Sequence, residues 1–216
     1  MKKMTEIRKI ALLAGIALAA VGSVNQAKAG GSAEILYGTD QDNDEHSTLD
    51  VKVSGALAPQ MAFFARSRNN VDYTGKVNSF TLVEVSYKAA EGIDVVGEMQ
   101  FVPGAKVDSR IGIQGQGSLG DLFGYGLVTR NFNEKPNTEC TGIVAFTPQL
   151  GDDIRGMLRW EEIINRGDNG DQYDIARIRV GLSYGALTAG AAADISGIGS
   201  GKSMSRVVGG FVKMEF

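Results

Sequence analysis

The sequence predicts an all-β protein, a transmembrane antiparallel up-and-down β-barrel of about twelve strands. Three observations predict it. Apolar and polar residues alternate with a period of two through most of the chain after residue 29. Turn-forming stretches divide these runs, and compact ones take turns with longer, more polar ones. Charges sit near the middles of several runs and share one face. Successive strand side chains point to opposite sides, so such runs present one greasy and one polar surface.

The first segment is expected to be removed. Lys2, Lys3, Arg8 and Lys9 precede an apolar run from Ile10 to Val21, and Ala27-Lys28-Ala29 stands before Gly30. That is the pattern of a secretory signal peptide over 1–29, and its apolar run is too short for a comfortable helical span. The barrel is then residues 30–216. Strands are predicted at roughly 33–39, 47–57, 60–68, 78–89, 93–102, 107–117, 121–131, 138–147, 153–163, 172–184, 186–194 and 204–216. The nearest helical candidate, "YKAAEGIDVV", reads as two runs joined by a Glu91-Gly92 turn.

The connections set the topology. The compact ones are "LAPQ", "AAEGI", "GSLGD", "PQLGDD" and "YGAL". Those between them include "TDQDNDEHS", "NNVDYTGKVN", "NFNEKPNT", "NRGDNGDQ" and "SGIGSGKS", with a short "PGAKVD" among them. Tight turns at one end and longer loops at the other suit a membrane barrel, and an even strand count puts both termini on one side.

Faces follow from parity. Leu49, Val51, Val53 and Leu57 oppose Asp50, Lys52 and Ser54; Val83, Val85 and Tyr87 oppose Glu84, Ser86 and Lys88. Ile154, Leu158 and Trp160 oppose Arg155, Arg159 and Glu161; Ile178, Val180 and Leu182 oppose Arg177, Arg179 and Ser183. Mid-strand charges are costly to bury in a small soluble sandwich but fit a polar lumen. Tyr37, Tyr87, Tyr125, Trp160, Tyr184 and Phe216 are placed near strand ends or outward, as interfacial girdles.

Composition narrows the function. The chain carries −3, and Lys2, Lys3, Arg8, Lys9 and Lys28 against Glu6 belong to the first 29 residues, so the remainder is near −7. Such a charge does not suit nucleic acid. Cys140 is the only cysteine, so no internal disulfide forms.

The final run, "VVGGFVKMEF", places Val208, Gly210, Val212, Met214 and Phe216 on one face. An alternating strand with a terminal aromatic resembles the last strand of Gram-negative outer-membrane β-barrels. The resemblance implies that Phe216, Met214 and Val212 act as the signal read by the barrel-assembly machinery. It also implies a setting of outer-membrane lipid and lipopolysaccharide, reached through a Sec-type signal. In size and strand count the chain is similar to the small oligogalacturonate-type monomeric porins. That resemblance is architectural, and implies uptake of acidic sugar oligomers through a lumen lined by basic residues.

The candidate pore-lining residues are Arg66, Arg68, Arg155, Arg159, Arg177 and Arg179, with Glu84, Glu98 and Glu161 as their neutralising partners. Lys52, Lys88, Arg110, Arg130 and Lys213, and Glu34, Asp50, Asp94, Glu139, Asp194 and Glu215, are also placed inward. Arginine presents a fixed fork to carboxylate or phosphate, and charged rings select ions of opposite sign. The reading is therefore a porin for small hydrophilic, mildly anionic solutes. The second reading has the same arginines brace a closed lumen in a structural or adhesive barrel acting through its loops. The third is an outer-membrane enzyme.

No catalytic residue, metal or cofactor is assigned. His46, the only histidine, stands beside Ser47, whose side chain points to the opposite face. Asp40, Asp42 and Asp44 imitate the start of a calcium loop, but Glu45 and Val51 occupy the positions that need Gly and Glu. "RGD" at 166–168 reads as a turn, and "GSGKS" at 199–203 lacks the first glycine and the following helix of a phosphate-binding loop.

Overall fold

The computed structural model describes residues 29–167, 170–197 and 204–216. The predicted signal segment, Asp168 of the "RGD" stretch and the "GSGKS" stretch lie outside them. No helix among the described residues is long and apolar enough to cross a membrane. The strands are β1 (Gly30–Thr39), β2 (Glu45–Ala58), β3 (Met61–Val71), β4 (Val77–Ala90), β5 (Ile93–Phe101), β6 (Asp108–Leu119), β7 (Leu122–Asn131), β8 (Asn137–Phe146), β9 (Ile154–Gly167), β10 (Gly170–Tyr184), β11 (Leu187–Gly197) and β12 (Ser205–Glu215). Each pairs antiparallel with its chain neighbour, and β12 pairs with β1, so the sheet closes. Closure leaves no strand edge without hydrogen bonds, which is the condition for β-structure in lipid.

The seam shows how closure is completed. Gly31 and Phe216 exchange backbone hydrogen bonds of 2.8 and 3.0 Å. The Phe216 ring lies where a Cβ on residue 31 would stand, within 2.4 Å, so the pairing depends on a glycine there.

Burial is inverted relative to a water-soluble domain. Val85, Val95, Ile111, Val144, Trp160, Val180, Leu182 and Val212 are exposed, whereas Asp50, Arg68, Glu84, Glu98, Arg110, Glu161, Arg177 and Arg179 are buried. Water-soluble proteins almost never bury such charges unless paired. An apolar outer band around a polar interior is the pattern of a membrane barrel.

The longer connections are shorter than the sequence suggested. Half of "NNVDYTGKVN" and the described residues of "NRGDNGDQ" are strand: β3 runs to Val71, β4 starts at Val77, β9 ends at Gly167 and β10 starts at Gly170. Side-chain hydrogen bonds make tight turns in "NNVDYTGKVN" and "TDQDNDEHS". Asp72 Oδ1 accepts the amides of Thr74 (3.0 Å) and Lys76 (2.9 Å). Asp40 Oδ1 does the same for Asp42 and Asp44. The Glu91-Gly92 turn is present, with Gly92 at φ 72°, a backbone region that favours glycine.

Two sequence expectations are corrected in β7. Its inward side chains are Phe123, Tyr125, Leu127, Thr129 and Asn131. Tyr125 is thus in the lumen, donating from its hydroxyl to Gln114 Oε1 at 3.0 Å, rather than in a girdle. Arg130 points outward at the strand end and reaches Thr138 Oγ1 at 3.4 Å. The cause is compositional. Gly124 and Gly126 leave the middle of the outward face without side chains, between Leu122 and Val128, so the aromatic inward face looks like the lipid face.

Candidate functional site: the charged lumen

The site is built from the inward residues of β1–β3 and β9–β11. In β2 and β3, Asp50 stands in register with Arg68, and Lys52 with Arg66. In β9 and β10, Glu161 stands in register with Arg177. Barrel closure brings the two walls face to face. Arg66 donates to both Asp50 oxygens (Nε–Oδ1 2.9 Å, Nη2–Oδ2 2.5 Å) and reaches across to Glu161 Oε1 at 3.1 Å. Glu161 also accepts from Arg159 (2.7 Å) and from Arg177. Arg68 bridges Asp50 (3.4 Å) and Asp194 of β11. Arg179 bridges Asp194 (2.6 Å) and Glu34 of β1 (2.8 Å). Lys52 lies 3.8 Å from Asp50.

The result is one connected lattice across the barrel. Its central space is only about 10 Å³, close to the room one water needs. It holds Lys52, Arg66, Arg68, Arg159, Arg177 and Arg179 against Glu34, Asp50, Glu161 and Asp194, an excess of two cations. Arg159 and Arg177 each keep a buried Nε without an acceptor. Beside the lattice, Leu36, Ala192 and Phe211 form a small apolar core, and the Arg179 guanidinium lies 5.8 Å from the centroid of the Phe211 ring.

Not every candidate residue belongs to this lattice. Arg155 sits at the end of the barrel that carries Gly30 and Phe216, where it donates to Gln149 Oε1 at 2.9 Å and lines a cavity of about 710 Å³. Glu84 and Glu98 do not neutralise the arginines of the lattice. They occupy β4 and β5, in register with each other on the other side of the lumen. Glu98 Oε1 accepts from Gln100 (2.6 Å) and faces Arg110 Nε at 3.7 Å. Its Oε2 is buried and has no hydrogen-bond partner.

A second network brackets the loop end of this acidic wall. Arg110 donates to Thr129 Oγ1 (2.9 Å), Asp108 (2.7 Å) and Asn137 (2.8 Å). Glu139 accepts from Gln100, Asn165 and Tyr173. Reasoning from charge alone missed Gln100, Thr129, Asn131, Asn137, Asn165 and Tyr173. Parity finds Gln100, Asn137, Asn165 and Tyr173, each on the same period-two face as a charged lumen residue of its strand, whereas Thr129 and Asn131 stand on the inward face of β7, which carries no charge.

His46 Nε2 lies 2.9 Å from Asp40 Oδ2, which ties the histidine into the first loop rather than to Ser47. The Asp40–Asp44 stretch is a hydrogen-bonded turn. Among the described residues, no group of three or more His, Cys, Asp or Glu side chains is arranged to hold a metal ion.

No protein-family model and no curated protein sequence matches the chain. Solved structures do. A KdgM porin in complex with disordered oligogalacturonate superposes with a TM-score of 0.53 at 13% identity, covering 86% of this chain and 99% of that one. A NanC porin gives 0.54 at 12% identity, covering 84% and 98%. LpxR from Salmonella typhimurium gives 0.51 at 7% identity, covering 86% and 99%. At these identities the likeness is one of fold. The chain is therefore a closed twelve-stranded antiparallel barrel with a porin-like fold of the outer-membrane type.

Proposed function

We propose that the protein is an outer-membrane channel that passes small hydrophilic solutes passively, with a mild preference for anions. The observation that carries this reading is the lattice, where six cationic side chains meet four carboxylates and two arginine Nε groups remain without acceptors. Low-dielectric walls focus that excess into a narrow passage. Toward the terminal end the lining is mixed, with Arg155 and Lys213 beside Asp152, Asp153 and Glu215, so the cationic excess is confined to the lattice. The porin-like fold supports the same reading, and the acidic sugar bound by one of those neighbours agrees with an anionic preference here. The outer membrane, its lipopolysaccharide and the barrel-assembly machinery are the partners this reading requires. It assigns no catalytic residue.

The test is the reversal potential of the purified protein in a planar bilayer under a salt gradient. Anion preference is expected, and it should fall in Arg159→Ser/Arg177→Ser. Cation preference in the wild type overturns the role given to the arginines. A barrel that inserts but carries no current favours the second reading, a braced structural or adhesive barrel, which the small space inside the lattice supports.

A further inference from the structure

The lumen contains a second site whose chemistry is opposite to that of the lattice. A cavity of about 530 Å³ lies against β3–β9, within the size range of small-molecule pockets. On one wall stand Glu84 and Glu98, in register on neighbouring strands, 5% and 3% exposed. Like charges directly opposite each other are destabilising. Here neither is neutralised in the usual way. Glu84 has no hydrogen-bond or ion-pair partner among the described residues, and Glu98 Oε2 is buried without one. The nearest cation, Arg110, is 3.7 Å from the other Glu98 oxygen and is hydrogen-bonded to Thr129, Asp108 and Asn137.

The rest of the lining mixes aromatic side chains with polar ones, among them Asp94, Gln114 and Glu139. Phe64, Phe80, Phe123 and Tyr125 line the same cavity. Lys52, Arg66 and Arg159 reach it from the lattice side, where Asp50 and Glu161 hold them. Two carboxylates with unused acceptor capacity beside aromatic faces form a receptor for an organic cation. An ammonium donates up to three hydrogen bonds, and ring faces attract the positive charge beside it. A metal ion fits less well, since no metal-holding group is present among the described residues.

We propose that this cavity binds a primary ammonium carried on a small apolar or aromatic body, with Glu84 and Glu98 receiving the ammonium and the Phe64–Tyr125 surface receiving the body. The inference holds whether or not the barrel conducts, because it concerns binding and not transport.

The experiment is calorimetry on the detergent-purified barrel with phenethylammonium as probe. Its uncharged analogue, 2-phenylethanol, and calcium chloride serve as comparisons. Saturable binding of phenethylammonium is expected, with both comparisons much weaker. Glu84→Gln and Glu98→Gln should each weaken it by about tenfold or more, the size of a lost charge-assisted hydrogen bond. Glu215→Gln, at the terminal mouth, should leave it unchanged. Folding of each variant is checked by the heat-dependent shift on gel electrophoresis. For folded protein, equal binding of the alcohol means simple apolar partition and overturns the proposal. Stronger calcium binding that displaces the amine also overturns it. Absence of amine binding overturns it as well.

Discussion

The two sides of the lumen solve the problem of buried charge differently. On the β1–β3 and β9–β11 side, every lattice carboxylate faces at least one guanidinium. On the β4–β5 side, Glu84 and Glu98 face each other. In the first arrangement every carboxylate has a cation, and the unmatched groups are the Nε atoms of Arg159 and Arg177. In the second the unmatched groups are carboxylate oxygens, Glu98 Oε2 among them. The contrast teaches that parity, which places all of these residues inside, says nothing about whether an inward charge is satisfied. Partners come from other strands.

The largest expected effect comes from making the same substitution on both sides. Glu161→Gln removes the charge that faces Arg66, Arg159 and Arg177. Losing one partner of a buried ion pair costs about 3–5 kcal/mol, so the heat-modification midpoint should drop sharply. Glu84→Gln removes one of two opposed carboxylates, a stabilisation of about 1 kcal/mol or less, and should raise that midpoint slightly. Equal destabilisation by both would erase the distinction between the two sides.

A second pair tests the wall that carries the lattice. Ile178 lies between Arg177 and Arg179 and points outward, whereas Ser183 points inward and hydrogen-bonds Thr188 at 2.8 Å. Ile178→Asp should impair assembly, by up to about 2 kcal/mol near mid-membrane, and Ser183→Asp should be tolerated. Equal folded yields from outer-membrane fractions would mean that the arginines do not face the lumen.

Deleting Phe216 acts at the seam. It removes the paired hydrogen bonds to Gly31, worth about 1 kcal/mol each, and the ring packed over that glycine. Slower assembly is expected. Protease sensitivity should appear first in β1 and β12, beside the Arg179–Glu34 pair, while the acidic wall stays protected.

The smallest effect concerns a carboxylate of a third kind, held by hydrogen bonds in a loop. Asp40 is kept below the usual aspartate range by its hydrogen bond to His46, then by the amides of Asp44 and Asp42. A depressed carboxylate contributes stability that is present above its unfolded value and lost as pH falls through the folded one. The Asp42 and Asp44 amides should therefore stay protected from exchange at neutral pH. They should lose protection only below the normal aspartate range. Loss at neutral pH would show that the turn does not depend on the anion.

Much of the barrel is legible in the amino-acid sequence. Alternation locates the strands, and charge shows the inward face wherever the outward face carries Val, Ile or Leu, as in β2, β4, β9 and β10. It fails in β7, where glycines empty the middle of the outward face and Phe123, Tyr125 and Leu127 turn inward. The longer connections also mislead, because Asp, Asn and Gly mark turns but do not say how far two paired strands continue before turning.

Alternation alone is enough for an all-β chain, its strand period and, outside β7, the residues of the polar interior. A period-two pattern is local and depends only on strand geometry. What the tertiary structure decided is which charges meet. Arg66 and Glu161 lie 95 positions apart, Arg68 and Asp194 126, and Arg179 and Glu34 145. Those encounters depend on how many strands close the wall and how far the register staggers around it, which are properties of the ring and of no single strand. The same closure left Glu84 and Glu98 without a guanidinium between them, and no local pattern carries that information.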